Sequence, residues 1–315
     1  MKIIVLDRNS LGTDTPLDGL CEFGEVEIYD STSNEELGAR IEHADVIVLN
    51  KVKITSEALA TARQLKLICV FATGYDNIDL ASAERHGVAV CNVPGYSTDS
   101  VALFTVANVL SLYTHLWEYN SFVRTGEYSA SQTPNKLEPV YHEISGKTWG
   151  IIGLGNIGRA VARVAVALGA RVIVNKRTPI DEYRCVDIDT LCCESDIITV
   201  HCPLNADTRD LINADRISLM KKDVVIVNEA RGAVVNDIDI VQAIKNGRIG
   251  AFGSDVYTQE PFPFDHPFYE IKDFSNVLFT PHAAWGAYEA RKRCIGIICD
   301  NIRAFLAGER HNRVV

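Results

Sequence analysis

Short uninterrupted apolar runs, rich in Val and Ile, recur along the chain and alternate with stretches of helical spacing. The first series reads Ile3 to Leu6, Val46 to Leu49, Leu67 to Phe71 and Val88 to Val90. The second reads Trp149 to Gly153, Arg171 to Asn175, Ile197 to His201, Val224 to Asn228 and Val277 to Thr280. Runs this short with no polar alternation suit strands covered on both faces, hence parallel sheets flanked by helices. Strands alternating with helices point to α/β units. Between the two series, Ser97-Thr98-Asp99 offers N-cap chemistry for the apolar stretch Val101 to Leu116, which reads as one long helix. The polar segment RTGEYSASQTPNKLEP follows with little periodicity and reads as a surface arm or loop. Two α/β domains of similar style are expected.

Composition narrows the class without changing that picture. A chain of 315 residues exceeds one typical domain. A formal net charge of −10 argues against a nucleic-acid binder, although it leaves room for a local basic pocket. The nine cysteines form no C-x-x-C pair and lie at no zinc-ligand spacing, so no metal is expected and most thiols read as small core residues. The opening MKIIVLD is too short in its apolar run for a signal peptide, and no run reaches the roughly 18 apolar residues of a membrane span. A soluble, cytoplasmic protein without membrane partners is expected.

Gly153-Leu154-Gly155-Asn156-Ile157-Gly158 is a G-x-G-x-x-G sequence with a strand before it, a helical pattern after it and a second strand closing the unit. Gly153 would permit the tight turn, Gly155 the approach of a pyrophosphate, and Gly158 the close packing of helix on strand. A plain strand–helix turn remains the alternative. Near the end of the second strand, where NAD sites place an acid, stand Lys176, Arg177 and Thr178, with no carboxylate before Asp181. Two cations and a hydroxyl suit a ribose 2′-phosphate, so NADP(H) is favoured over NAD(H), against the alternative of a solvated Lys-Arg turn.

Three later segments each put a reactive side chain beyond an expected strand: Arg231, then Asp255 with Glu260, then His282. A 2-keto acid needs a planar cation for its carboxylate, which Arg supplies, and a proton donor for its C2 oxygen, which His supplies. A carboxylate beside that His, Glu260, would fix the ring and favour its protonated form. Each residue also has a plain reading: a surface turn for Arg231, an exposed loop acid for Glu260, a structural histidine for His282.

With these residues in place, the chain resembles the D-isomer-specific 2-hydroxyacid dehydrogenases, most closely the glycerate dehydrogenase/hydroxypyruvate reductase members. The resemblance is carried by ATGYDNIDL, AVCNVPGYSTDSVA, GIIGLGNIGRAVA, HCPLNADTRDLIN, NEARGAVVN, GSDVYTQEP, TPHAAWGAYEAR and DNIRAFLAGE in fixed order. It implies two doubly wound parallel-sheet domains with a cleft between them. A flavodoxin-like substrate domain would comprise residues 1–98 and 284–315, with a helix from about Trp285 returning to it, and a Rossmann cofactor domain residues 99–283. It implies Arg231 as carboxylate clamp, His282 as acid/base and Glu260 as its partner, with the amides of Thr73 and Gly74 also on the carboxylate. Asn156 and Ile157 would meet the pyrophosphate, while Cys202, Pro203 and Thr208 would line the adenosine side. Glu229, Ala230 and Asp255 would reach the nicotinamide end, Asp255 accepting from the carboxamide. Relatives are commonly homodimers whose arm, here about residues 118 to 145, embraces the partner.

The sequence departs from that pattern in places. Lys176 stands where NAD-using members carry Asp, Leu103-Phe104 makes a helix face greasier than usual, and Trp285 resembles the branch in which an aromatic narrows the substrate pocket. A cofactor-responsive binding protein, akin to corepressor relatives with little turnover, is the competing expectation. A formate-type enzyme is disfavoured because such members pair the histidine with Gln instead of Glu260.

Overall fold

The computed structural model describes residues 1–178 and 180–315. The chain forms two compact units, Met1–Ser97 with Trp285–Val315, and Thr98–Ala284. In the first, strands β1 (Lys2–Val5), β2 (Glu25–Ile28), β3 (Val46–Leu49), β4 (Leu67–Val70) and β5 (Ala89–Cys91) alternate with helices α1 (Asn34–Ile41), α2 (Ser56–Thr61) and α3 (Leu80–Arg85). Their parallel sheet has the order β2-β1-β3-β4-β5, the flavodoxin-like arrangement. Every side chain of β3 and β4 is buried, as the unbroken apolar runs require. Strand β2 escaped the sequence pattern because it is an edge strand: EVEI alternates and buries none of its residues fully.

The second unit opens with α4 (Thr98–Tyr113), α5 (Leu116–Arg124) and α6 (Glu127–Ser131). The single helix expected over Val101 to Leu116 is thus corrected at its end. His115 turns left-handed at φ 53°, its Nδ1 lies 3.0 Å from Glu118 Oε1, and the chain restarts as α5. The arm likewise holds more helix than its polarity suggested, in two short pieces separated by left-handed Gly126. Then come β6 (Thr148–Ile152), α7 (Asn156–Ala167), β7 (Arg171–Asn175), β8 (Arg184–Cys185), α8 (Ile188–Glu194) and β9 (Ile197–Val200). After them follow α9 (Ala214–Leu219), β10 (Val225–Asn228), α10 (Asp237–Lys245), β11 (Ala251–Ser254) and β12 (Val277–Phe279).

This seven-stranded parallel sheet runs β12-β11-β10-β9-β6-β7-β8, so strand order reverses around β6. Ligands of such sheets bind beyond the carboxyl ends of the strands at that reversal. Helix α4 covers β10, β11 and α7, which explains its nearly uniform apolarity. Gly253 in β11 leaves room for Leu112 of α4, whose Cδ1 would lie 3.0 Å from an added Cβ.

The chain returns to the first unit with α11 (Tyr288–Leu306), which lies against β4 and buries Ala290, Cys294, Ile295, Ile298 and Ile302 along one face. The tail then pairs with β5 through Val314 N to Val90 O. All nine cysteines are free thiols, six of them buried. Among the described residues, no single helix is long and apolar enough to cross a membrane; the bent pair α4–α5 passes on length and composition alone, and α4 is a core helix here.

Candidate active site

The glycine turn leaves β6 with Gly153 at φ +93°, a conformation L side chains rarely adopt. An added Cβ there would meet Cys202 N at 2.6 Å, because the turn presses on the backbone leaving β9. Gly158 sits against the turn itself, with Gly153 O 2.2 Å from where its Cβ would be. Gly155 differs: its backbone is extended, and open space lies where a side chain would project. It also caps α7 without a side-chain hydrogen bond. The amides of Asn156, Ile157 and Gly158 in the first turn of this twelve-residue helix therefore have no capping side chain, the usual provision for an anionic ligand. The cradle fits a dinucleotide pyrophosphate.

Lys176, Arg177 and Thr178 follow β7 directly, Lys176 half-buried and the other two exposed. Cys202 is buried, and burial lifts its thiol to about 11, so it stays protonated. Thr208 shapes its own loop: its hydroxyl donates to Pro203 O at 2.7 Å and accepts from Asn205 N at 2.8 Å. Neighbouring His201 lacked any sequence cue. Its ring nitrogens are inaccessible and without partners among the described residues, and burial pushes its pKa down to about 3.

At the other end of the sheet, Arg231 follows β10 in a turn tied by Asn228. That buried side chain accepts from Ala230 N at 3.1 Å and donates to Arg231 O at 3.0 Å. Gly232 then packs so closely that an added Cβ would lie 2.0 Å from Tyr257 C. The turn bearing Arg231 thus rests on the Tyr257–Thr258 backbone, two residues from Glu260. Thr258 is anchored in turn by Asp237 Oδ2 at 2.8 Å and His266 Nε2 at 3.1 Å. Neither anchor was legible in the sequence, Asp237 lying 21 positions away and His266 8.

Glu260 accepts from Tyr257 N at 3.1 Å through Oε1, and its Oε2 meets His282 Nδ1 at 2.6 Å. With Nδ1 engaged, Nε2 of His282 is the nitrogen left for a ligand. His282 itself has φ 53°, a left-handed value that costs a non-glycine residue about 1–3 kcal/mol. Asp255, at the end of β11, holds the turn in that shape: Oδ1 accepts from Thr280 Oγ1 at 2.6 Å and Ala283 N at 2.8 Å, and Oδ2 from Ala284 N at 2.9 Å. This grip on the His282 turn was not foreseen for Asp255. It fills three of roughly four acceptor positions of the carboxylate.

Glu229 lies between these groups. Asn108 Nδ2 of α4 donates to its Oε1 at 2.7 Å, while the buried Oε2 has no partner among the described residues. Burial first, and the Asp255 charge second, push its pKa up to about 8. An orphaned polar atom beside Asp255, at the end of the sheet expected to receive a nicotinamide, fits a polar group of that ring. Thr73, Gly74 and Trp285 belong to the other unit. There Thr73 donates to Val93 O at 2.9 Å, and Trp285 meets Tyr96 edge-on at 6.2 Å. Among the described residues no cluster of His, Cys, Asp and Glu could hold a metal ion.

Residues 106–284 match the family profile described as D-isomer specific 2-hydroxyacid dehydrogenase, NAD binding domain. A hydroxypyruvate reductase of Blautia hydrogenotrophica is 35% identical over 100% of this chain and 99% of its own length. A glycerate dehydrogenase of Methylorubrum extorquens is 36% identical over 99% and 98%. Among solved structures, an acyclic imino acid reductase in complex with NADPH and D-Arg superposes with TM-score 0.89 at 31% identity, covering 100% of both chains. The D-lactate dehydrogenase of Aquifex aeolicus with NAD and lactic acid gives TM-score 0.86 at 28% identity, covering 98% and 96%. Such end-to-end agreement with a sheet that already ends in an Arg turn and a Glu–His pair leaves one conclusion. The chain belongs to the D-isomer specific 2-hydroxyacid dehydrogenase family, oxidoreductases that use a nicotinamide cofactor on small 2-hydroxy and 2-keto acids.

Proposed function

We propose that the protein reduces hydroxypyruvate or glyoxylate with NADPH, His282 serving as acid/base and Arg231 as the carboxylate clamp. The observation that carries this reading is the 2.6 Å contact between Glu260 and His282 Nδ1, which leaves Nε2 as the proton donor. The bound cofactor supplies a hydride, two electrons with one proton, to the C2 carbon. His282 Nε2 gives the second proton to the C2 oxygen, so the keto group becomes a secondary alcohol. The Glu260 carboxylate stabilises the imidazolium before transfer and keeps the ring in register. The Arg231 guanidinium holds the carboxylate and, with the imidazolium, offsets charge developing on oxygen. The amides of Thr73 and Gly74 and the Trp285 ring are retained as proposed substrate contacts.

On the cofactor side, Asn156 and Ile157 are assigned to the pyrophosphate, Cys202, Pro203 and Thr208 to the adenosine side, and Ala230 and Asp255 to the nicotinamide. Lys176, Arg177 and Thr178 are assigned to the 2′-phosphate, supported by the absence of an acid at that corner and by the NADPH in the superposed imino acid reductase. The names of the relatives support the substrate: hydroxypyruvate reductase, glycerate dehydrogenase and, at 36% identity over 88% of this chain, a glyoxylate reductase of Thermofilum pendens. A homodimer is proposed on the exposed apolar side chains Leu103, Trp117, Leu137, Val140 and Tyr141. Nine thiols without a disulfide suit a reducing, cytoplasmic setting.

Initial rates on a panel of 2-keto acids, each with NADH and NADPH, test the assignment. Hydroxypyruvate and glyoxylate with NADPH are expected to lead, and Lys176→Asp to move preference toward NADH. A strong NADH preference in the native protein overturns the 2′-phosphate assignment. Absence of turnover across the panel, with cofactor still bound, overturns the reductase in favour of a cofactor-responsive binder.

A further inference from the structure

Most acidic groups in this unit lie on the surface, but two sit buried at the ends of neighbouring strands. Glu229 leaves β10 and Asp255 leaves β11, and both are more than nine-tenths buried. They are built differently. Asp255 accepts three hydrogen bonds from Thr280, Ala283 and Ala284, the surroundings of a carboxylate. Glu229 accepts one, from Asn108, and its second oxygen has no hydrogen-bond partner among the described residues. An ionised Glu229 would carry a desolvated, half-satisfied charge beside a second acid; a protonated one turns the orphaned Oε2 into a hydrogen-bond donor.

We propose that Glu229 acts as a redox-state selector at the nicotinamide end of the site: protonated, it accommodates the neutral reduced ring, and ionised, it favours the cationic oxidised ring. The inference rests on the cofactor placement proposed above. Its physical basis is the one charge by which the two ring states differ. A carboxylate close to a desolvated ring attracts the oxidised cation and gives the reduced ring nothing comparable. By linkage, oxidised cofactor that favours the ionised acid must also draw a proton off it on binding.

On the surrounding elements, Tyr257 and His201 keep one state over the range in which Glu229 changes. Burial holds Glu229 at about 8, with Asp255 adding to the shift and Asn108 opposing it. On the exit of β11, Tyr257 is raised by burial and by Asp255 and stays protonated in that range. After β9, His201 is pushed down to about 3 and stays neutral. From α4 the facing group is the uncharged Asn108. Arg231 follows two residues later on the same turn. His282 carries an ionisable ring as well, and Glu229→Gln leaves it intact, so any pH dependence owed to His282 persists in that variant.

The experiment measures the dissociation constants of NADP⁺ and NADPH separately from pH 6.5 to 9.5, on the native protein and on Glu229→Gln. Gln keeps the acceptor for Asn108 and places an N–H donor where the acid proton would be, so it imitates the neutral form permanently. In the native protein, affinity for NADP⁺ relative to NADPH is expected to rise about tenfold across this range, while the variant keeps only the dependence that His282 imposes. Calorimetry in buffers of different ionisation enthalpy should show proton release on NADP⁺ binding near pH 8, and none in the variant. A ratio flat with pH in the native protein, or an equal rise in Glu229→Gln, overturns the selector while leaving the cofactor site standing. Failure of NADP⁺ and NADPH, and of NAD⁺ and NADH in their place, to bind the native protein overturns the placement and the selector together.

Discussion

Two ends of one sheet are built by opposite means. Around β6 and α7 the work falls to the backbone: Gly153 and Gly158 admit no Cβ, Gly155 leaves space, and the donors are amides of the first helical turn. Around β10, β11 and β12 it falls to side chains that fix one another, with Asp255 gripping the His282 turn, Glu260 holding the ring, and Gly232 seating the Arg231 turn on the Glu260 loop. The first end should be insensitive to pH and intolerant of bulk. The second should be sensitive to charge and proton balance.

The largest effect expected separates the ends directly. His282→Asn should lower kcat by about two to four orders of magnitude, the usual worth of a general acid. Cofactor affinity should change little, because the pyrophosphate cradle is untouched. Steady-state kinetics with a parallel binding titration checks both halves, and near-native turnover would remove His282 from the acid/base role.

Next in size is a pH effect on stability that the side-chain end alone should show. The Glu229 carboxyl titrates near 4.5 when unperturbed and about 8 in the fold, so between those values the folded state binds more protons than the unfolded one. Stability contributed by this group is therefore full below about pH 4.5 and is lost as pH climbs to about 8, by on the order of a few kcal/mol. Denaturant melts of native protein and Glu229→Gln between pH 5 and 9 should diverge, the variant losing less. Parallel curves would mean that the acid is better solvated than its surroundings indicate.

The backbone end answers to bulk. Gly158→Ala would put a methyl 2.2 Å from Gly153 O, which has nowhere to move without opening the turn. Overpacking of this kind costs about 1–3 kcal/mol. A lower Tm should accompany weaker cofactor binding at every pH, in contrast with Glu229→Gln. An unchanged Tm would show that the turn yields.

The same contrast explains what the chain discloses before folding. Backbone-built features leave local traces: G-x-G-x-x-G and the unbroken apolar strands could be read because their causes lie within a few residues. Arg231, Glu260 and His282 were legible as residue types beyond strands, and Glu260 as the partner of His282, while the bonds that seat the Arg231 and His282 turns were not. The Asn108–Glu229 bond spans 121 positions, and the Thr258–Asp237 bond 21. Strand β11 was expected only from Asp255 beyond it and gave no apolar run of its own, because AFGS trades bulk for the close approach of α4. The break at His115 was hidden because the apolar stretch runs on to Leu116, the first residue of α5.

The smallest effect asks how far the side-chain end depends on any one of its bonds. Asp255 holds the His282 turn by three donors, and only Thr280 supplies one through a side chain. Thr280→Val removes that hydroxyl at nearly constant volume and leaves the two amides in place. A hydrogen bond to a charged group contributes about 1.5–3 kcal/mol, and the lower figure is expected because Thr280 is only half-buried and water can replace it. Since His282 remains left-handed under the grip of the Ala283 and Ala284 amides, kcat should fall less than tenfold while Tm drops measurably. A loss approaching that of His282→Asn would mean that the hydroxyl, not the pair of amides, keeps Nε2 aimed at the substrate. The catalytic end would then hang on one bond, where the cradle around α7 distributes its support over several.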